Sequence, residues 1–272
     1  MRPVSRPQPK LVVALDFQTG AEALAMARDL APLAQPAQSG QSGQPDLWMK
    51  VGLELFVAEG PQMVRELKAM GFKIFLDLKF LDIPNTVRGA VRSAVKSGAD
   101  MLNIHACGGA DMGRIAVAAR DEAYLEYKDE CGLAVKPLLF AVTVLTSMQD
   151  VDNPILRGRP AAEVVLELAR MTQGAGLDGV VCSAQEAARI KEACGPQFLC
   201  LTPGIRVPEA GAKADDQRRV MTPEAAVAAG SDFLVVGRPV TRAPQDKGGP
   251  VAAARDILRR MATAAVPSAE GA

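Results

Sequence analysis

The sequence predicts an α/β fold, a single (β/α)8 barrel, and three observations predict it. Eight short apolar runs alternate with helix-patterned stretches, at a spacing of about 30 residues that suits a strand and its covering helix. The runs are apolar almost throughout, as in parallel strands buried on both faces. Polar residues collect at or just beyond their C-terminal ends: Asp16, Lys50, Asp77, Lys79, His105, Thr146 and Arg238, with Pro203 among them. A barrel brings such ends together at one mouth, where barrel enzymes carry their active sites. The 272 residues suit one such domain, with tails expected over 1–10 and 264–272.

The elements follow in order. LVVALDF, residues 11–17, is the first strand, and the Ala-rich stretch 21–33 is a helix that Thr19 can cap. Residues 35–46, QPAQSGQSGQPD, are low in complexity and read as a surface insertion. LWMKVGL, 47–53, is the second strand, with Lys50 among apolar neighbours; 61–70 is a helix that Gly71 closes. The third strand lies in 73–86, with a helix over 85–97 and Gly98 after it. MLNIHA, 101–106, is the fourth strand, placing Asn103 and His105 on one face, and 111–128 is helical. Strand five is 137–146, followed by a helix over 161–172; strand six is 179–183, followed by 184–194. FLCLTPGI, 198–205, is the seventh strand, and Thr222-Pro223-Glu224 opens a helix to Ala229. FLVVG, 233–237, is the eighth strand, and 250–261 the last helix.

Composition narrows the function. A net charge of zero gives no footprint for nucleic acid or a membrane surface, and neither is expected as a partner. The cysteines at 107, 131, 182, 194 and 200 form no C-x-x-C pair, which speaks against a disulfide framework or a zinc site. MRPVSRPQPK has no apolar core, so it is not read as a signal peptide, and no apolar run approaches a membrane span. A cytoplasmic enzyme is the expectation.

The chemistry centres on KIFLDLKFLDIPNT, residues 73–86. An apolar strand ends in Asp77, Lys79 and Asp82, and Pro84 opens a helix. Alternation along a strand points Asp77 and Lys79 the same way. An ammonium about 4 Å from a carboxylate gains on the order of 4 kcal/mol at an effective dielectric near 20. Two flanking carboxylates are therefore expected to hold Lys79 protonated and aimed, ready to protonate a carbanion. The alternative is a structural ion pair at a strand end.

Other residues extend the site. GRPVT, 237–241, follows the last strand, where Gly237 permits close backbone approach and Arg238 offers a fork of donors to phosphate. The polar stretch 205–222 has the place and length of a lid, from which Arg206 could add a second phosphate contact and Gln217 could reach the ligand from above; the alternative is a solvated loop, and for Gln217 taken alone that alternative is the stronger. Thr146 can bond a ring amide. Asp16 and Lys50 can bond sugar hydroxyls or pair with each other. His105, the single histidine, lacks an orienting partner and reads as lining the mouth. Asp77 and Asp82, with Lys79 between them, make a poor metal set, so no metal is expected.

DLKFLDIPNT also closely resembles the Asp-x-Lys-x-x-Asp-Ile-Pro-x-Thr signature of the orotidine 5′-phosphate decarboxylase family, bacterial type. MKVGLELF, NIHACGGA, AVTVLTSM, LTPGIR, DQRRVMTPEAA and VVGRPVT extend the likeness across the chain. The resemblance implies a cofactor-independent decarboxylation of orotidine 5′-monophosphate to UMP. It implies Lys79 as proton donor, Asp77 beside the substrate carboxylate, and Asp82 contributed to a neighbouring subunit's site in a homodimer. It implies ribose contacts from Asp16, Lys50 and Thr86, with Thr86 reaching across the dimer and Ile83 among the substrate contacts. It implies a pyrimidine contact from Thr146, and lid or phosphate contacts from Pro203, Arg206, Gln217, Gly237 and Arg238. The departures are the 35–46 insertion and the lid spacer AGAKADD. Two rivals are a Mg2+-dependent sugar-phosphate enzyme of the same barrel superfamily and a non-catalytic nucleotide-binding barrel. The first carries a strand-two carboxylate by family resemblance, where this chain has Lys50; the second need not keep Lys79 with both acids.

Overall fold

The computed structural model describes residues 8–34, 47–146, 155–207 and 221–265. Eight parallel strands close into a barrel in sequence order: β1 (Lys10–Ala14), β2 (Leu47–Gly52), β3 (Lys73–Phe80), β4 (Met101–His105), β5 (Leu138–Val142), β6 (Gly179–Val181), β7 (Leu199–Thr202) and β8 (Phe233–Val236). The ring is sealed by β1 against β8, with Val12 opposite Val235. The covering helices are α1 (Gly20–Ala34), α2 (Leu53–Glu59), α3 (Pro61–Ala69), α4 (Pro84–Lys96), α5 (Gly109–Tyr127), α6 (Ala161–Gly174), α7 (Ala184–Cys194), α8 (Pro223–Ala229), α9 (Arg238–Thr241) and α10 (Gly249–Ala265).

Each strand buries both faces. One faces the helices, as with Leu11, Val13, Ile74 and Leu76. The other fills the barrel, where Trp48, Phe75, Phe140, Leu201 and Phe233 form the floor beneath the mouth. Phe233 takes Trp48 and Phe140 edge-on, with ring centroids 5.4 and 5.9 Å away. Gly179 is required there: a Cβ would stand 2.2 Å from the Leu199 carbonyl oxygen and 2.7 Å from the Phe140 ring.

The apolar runs overestimate the strands. β1 stops at Ala14 instead of Phe17, β5 at Val142 instead of Thr146, and β7 at Thr202 instead of Ile205. Their last apolar residues leave the ladder to wall the cavity above it, as Phe17, Val144 and Leu145 do. The chain after Gly52 coils into α2, a helix the strand-like pattern through Leu53 conceals. Thr19 caps α1 as expected, its hydroxyl accepting the Glu22 N–H. Gly71 follows α3 with φ 91°, the left-handed exit that favours glycine. The last helix runs on to Ala265, past the expected end at Met261. The 35–46 insertion lies outside the described residues.

At the opposite end from the mouth, a Gly-x-Asp triplet recurs before β4, β6 and β8, at Gly98–Asp100, Gly176–Asp178 and Gly230–Asp232. Each glycine has positive φ. Each aspartate carboxylate accepts a backbone N–H of the preceding strand: Ile74 at 2.8 Å, Leu139 at 2.8 Å and Cys200 at 2.7 Å. Each carboxylate also takes a cation, Lys68 and Lys73 for Asp100, Arg120 for Asp178 and Lys191 for Asp232. These clasps tie consecutive strands together, the stabilising role expected of this barrel end. Replacing Asp100 with Ala strands two lysines and a buried N–H, and is expected to lower the unfolding free energy by about 3 kcal/mol, read from denaturant unfolding.

Candidate active site

The C-terminal mouth opens on a cavity of about 510 Å³, within the range of small-molecule sites. Four of its charged residues, Asp16, Lys50, Asp77 and Lys79, alternate in sign across it. The Lys50 ammonium donates to Asp16 at 2.8 Å and lies 3.4 Å from Asp77 Oδ2. The Lys79 ammonium donates to Asp77 Oδ1 at 2.6 Å. Lys50 and Asp77 are each 8% exposed; the Lys79 side chain, at 30%, and the Asp16 side chain, at 62%, open toward the cavity. The arrangement follows from register: Lys50 on β2 pairs with Phe75, so the inward-facing Asp77 of β3 lies beside it.

The electrostatics favour ionised groups. Burial pushes the Asp77 carboxyl up, but the Lys50 and Lys79 ammoniums, with hydrogen bonds from Lys79 and Asn103, hold it below its ordinary value. Burial pushes Lys50 down, yet Asp77 and Asp16 outweigh it and leave its ammonium raised. His105, at the end of β4, is driven down by burial and by the Lys79 charge. It is half-buried and lies outside the cavity lining, which corrects its reading as a mouth residue.

Lys79 is not in ordinary strand geometry. Its φ is 52°, a left-handed conformation that costs a non-glycine residue about 1–2 kcal/mol. The β3–β4 register breaks between Leu76 and Phe80, and the Lys79 N–H goes to Asn103 Oδ1 at 2.8 Å. Asn103 Nδ2 donates in turn to Asp77 Oδ1 at 2.7 Å.

The remaining candidates divide. Thr146, Pro203, Arg206, Gly237 and Arg238 all line the cavity. Arg206 is steadied by Met221, whose carbonyl accepts its backbone N–H at 3.0 Å. Arg238 opens the one-turn helix α9. Gln217 lies outside the described residues. Asp82, Ile83 and Thr86 do not line the cavity of their own chain; all three are exposed. Among the described residues the expected clamp of Lys79 between two carboxylates is therefore one-sided. The turn into α4 carries Asp82 outward, where its carboxylate accepts the Ile83 N–H at 2.7 Å. Sequence reasoning missed Arg242, Thr241 and Phe17 in the lining. It placed Asn103 on the right strand face without seeing its partners; an amide inside an apolar strand was the available signal.

A closed parallel barrel with alternating charges at its C-terminal mouth defines the class, a (β/α)8-barrel enzyme. The sequence profile of the orotidine 5′-phosphate decarboxylase / HUMPS family matches residues 9–257. An orotidine 5′-phosphate decarboxylase of Nitratidesulfovibrio vulgaris (strain Miyazaki F) is 55% identical over 255 residues, spanning 93% of this chain and 98% of its own. One from Maridesulfovibrio salexigens is 50% identical over 252 residues, with the same coverage. The crystal structure of the orotidine 5′-phosphate decarboxylase of Lactobacillus acidophilus superposes with a TM-score of 0.73 at 35% identity, covering 94% of this chain and 99% of that one. The chain belongs to the orotidine 5′-phosphate decarboxylase / HUMPS family.

A group whose folded pKa is depressed contributes stability above its unfolded value and loses it as pH falls through the folded one. The stability margin of the parent over Asp77→Asn is thus expected to be full near neutrality and to shrink as pH drops below the ordinary value of 3.8. Paired denaturant titrations across that range measure it.

Proposed function

We propose that this chain decarboxylates orotidine 5′-monophosphate to UMP without metal or coenzyme. One observation carries the reading: an ammonium, Lys79, held 2.6 Å from a buried carboxylate and opening onto the cavity of a family barrel. Cleavage of the C6–carboxylate bond releases CO2 and leaves the electron pair on C6. The Lys79 ammonium offsets that charge in a site shielded from water, then gives C6 a proton. The neutral amine regains its proton from solvent. Asp77 lies beside the departing carboxylate, where like charge disfavours the bound acid relative to the transition state. Asp16 and Lys50 take ribose hydroxyls, Thr146 the pyrimidine, and Arg206 and Arg238, with Pro203, Gly237 and the lid residue Gln217, the phosphate side. Phosphate binding far from C6 supplies remote binding energy for closure.

The working unit on this reading is a homodimer with shared sites. Support comes from the outward turn that exposes Asp82, Ile83 and Thr86 beside Leu81, with Leu81 at 52% and Ile83 at 68% exposure. In a dimer, Asp82 completes the second side of the partner subunit's ammonium clamp, and Ile83 and Thr86 reach its substrate.

Turnover is followed by the absorbance change as the orotate ring becomes uracil. Lys79→Ala is expected to retain UMP binding while kcat falls by orders of magnitude; near-parental rates remove Lys79 from the reaction. Mixing inactive Lys79→Ala and Asp82→Ala chains is expected to restore activity through hybrid sites. No recovery despite demonstrated subunit exchange counts against shared sites.

A further inference from the structure

Asn103 sits on β4 with no solvent exposure and bonds both members of the Asp77–Lys79 pair. Around it β3 and β4 lose step. Phe75 and Leu76 pair with Met101 and Leu102, and the next pairing is Phe80 with Ile104. Asn103 alone thus faces Asp77, Leu78 and Lys79. A bulge of this kind leaves backbone groups without a ladder partner. The Asn103 side-chain oxygen serves the Lys79 N–H and its NH2 group serves the Asp77 carboxylate. The amide has one workable orientation: reversed, it would set oxygen against carboxylate and donor against donor. Packing does not ask for an amide here. The β5 residue in register with it is Phe140, and the inward residue one layer below on β4 is Met101.

We propose that Asn103 is a positioning residue: it holds the β3 bulge in the one conformation that brings the Lys79 ammonium and the Asp77 carboxylate together at the cavity wall. Its oxygen fixes the backbone of Lys79 and its nitrogen fixes the rotation of Asp77, so one side chain sets both halves of the pair. The inference rests on the reading of Lys79 as proton donor. The titratable groups around Asp77 are Lys50 on β2, Lys79 on β3 and His105 on β4, the last favoured in its neutral form, with Asp16 beyond Lys50.

Two variants test it against a merely structural role. Asn103→Leu removes both bonds at similar volume. Its kcat is expected to fall about 100-fold, the scale of misplacing a reacting group by about 1 Å, with UMP affinity by calorimetry unchanged. Asn103→Asp is isosteric and sets a second carboxylate against Asp77. The pair then keeps a proton to higher pH, so the acid limb of the kcat profile is expected to move up by about one unit or more. Asn103→Asp decides alone if Asn103→Leu does not fold. Parental kcat in Asn103→Leu with an unmoved acid limb in Asn103→Asp overturns the proposal. So does a loss of kcat matched step for step by loss of UMP affinity and melting temperature. A parent chain with no turnover of orotidine 5′-monophosphate sinks the functional reading, and this inference falls with it; an active parent with indifferent variants sinks this inference alone.

Discussion

The Asp77 carboxylate is what permits two lysines to share one cavity. Lys50 and Lys79 approach it from different oxygens, at 3.4 and 2.6 Å. Without a carboxylate between them the two ammoniums would repel each other, and burial would favour losing a proton from one. With Asp77 ionised, burial works for the array, because the same low dielectric that disfavours a lone charge strengthens each contact. The carboxylate is fully employed, by Lys50 on β2, Lys79 on β3 and the Asn103 amide on β4. Three adjacent strands must therefore hold their register for one charged group to be placed.

Register is secured at the other end of the barrel, with the same residue types used differently. Asp100, Asp178 and Asp232 also sit beside lysine or arginine, but each spends its carboxylate on a neighbouring strand's N–H as well. Lys191 shows the contrast with Lys79. It bonds Asp232 and the carbonyls of Pro196 and Phe198, all protein groups. Among the described residues Lys79 has one carboxylate partner, and it otherwise opens to the cavity. A saturated ammonium stabilises; an ammonium with hydrogen-bonding capacity turned toward a cavity can act on what enters it.

This difference explains what could be read from the chain. Barrel strands buried on both faces leave unbroken apolar runs, so their number and order were legible, and so were Asp16, Lys50, Asp77 and Lys79 as charges where such runs end. Strand ends were not, because apolar side chains such as Val144 and Leu145 wall the cavity as readily as they fill the core. Arg242 was invisible because it reaches the mouth only after the α9 turn, a geometry that no periodicity announces. The recurring Gly-x-Asp clasps were missed because a triplet is too short to stand out until the strands are seen side by side.

The kink at Lys79 links the two sides of the proposed site. A strand that kept extended geometry through residue 79 would continue its ladder with β4, and the turn into α4 would leave the sheet in another direction. The left-handed φ of Lys79 breaks that ladder. The residues that follow emerge on the outer surface, with Asp82 and Ile83 exposed and Pro84 starting α4. The bulge that brings the ammonium to Asp77 is thus followed at once by a turn that carries the second carboxylate out of the same cavity. Asp82 cannot serve Lys79 of its own chain without undoing the turn that Pro84, with its fixed φ, favours. Under the proposed function Asp82 serves the ammonium of another subunit, and the backbone geometry of a single residue, Lys79, favours that sharing.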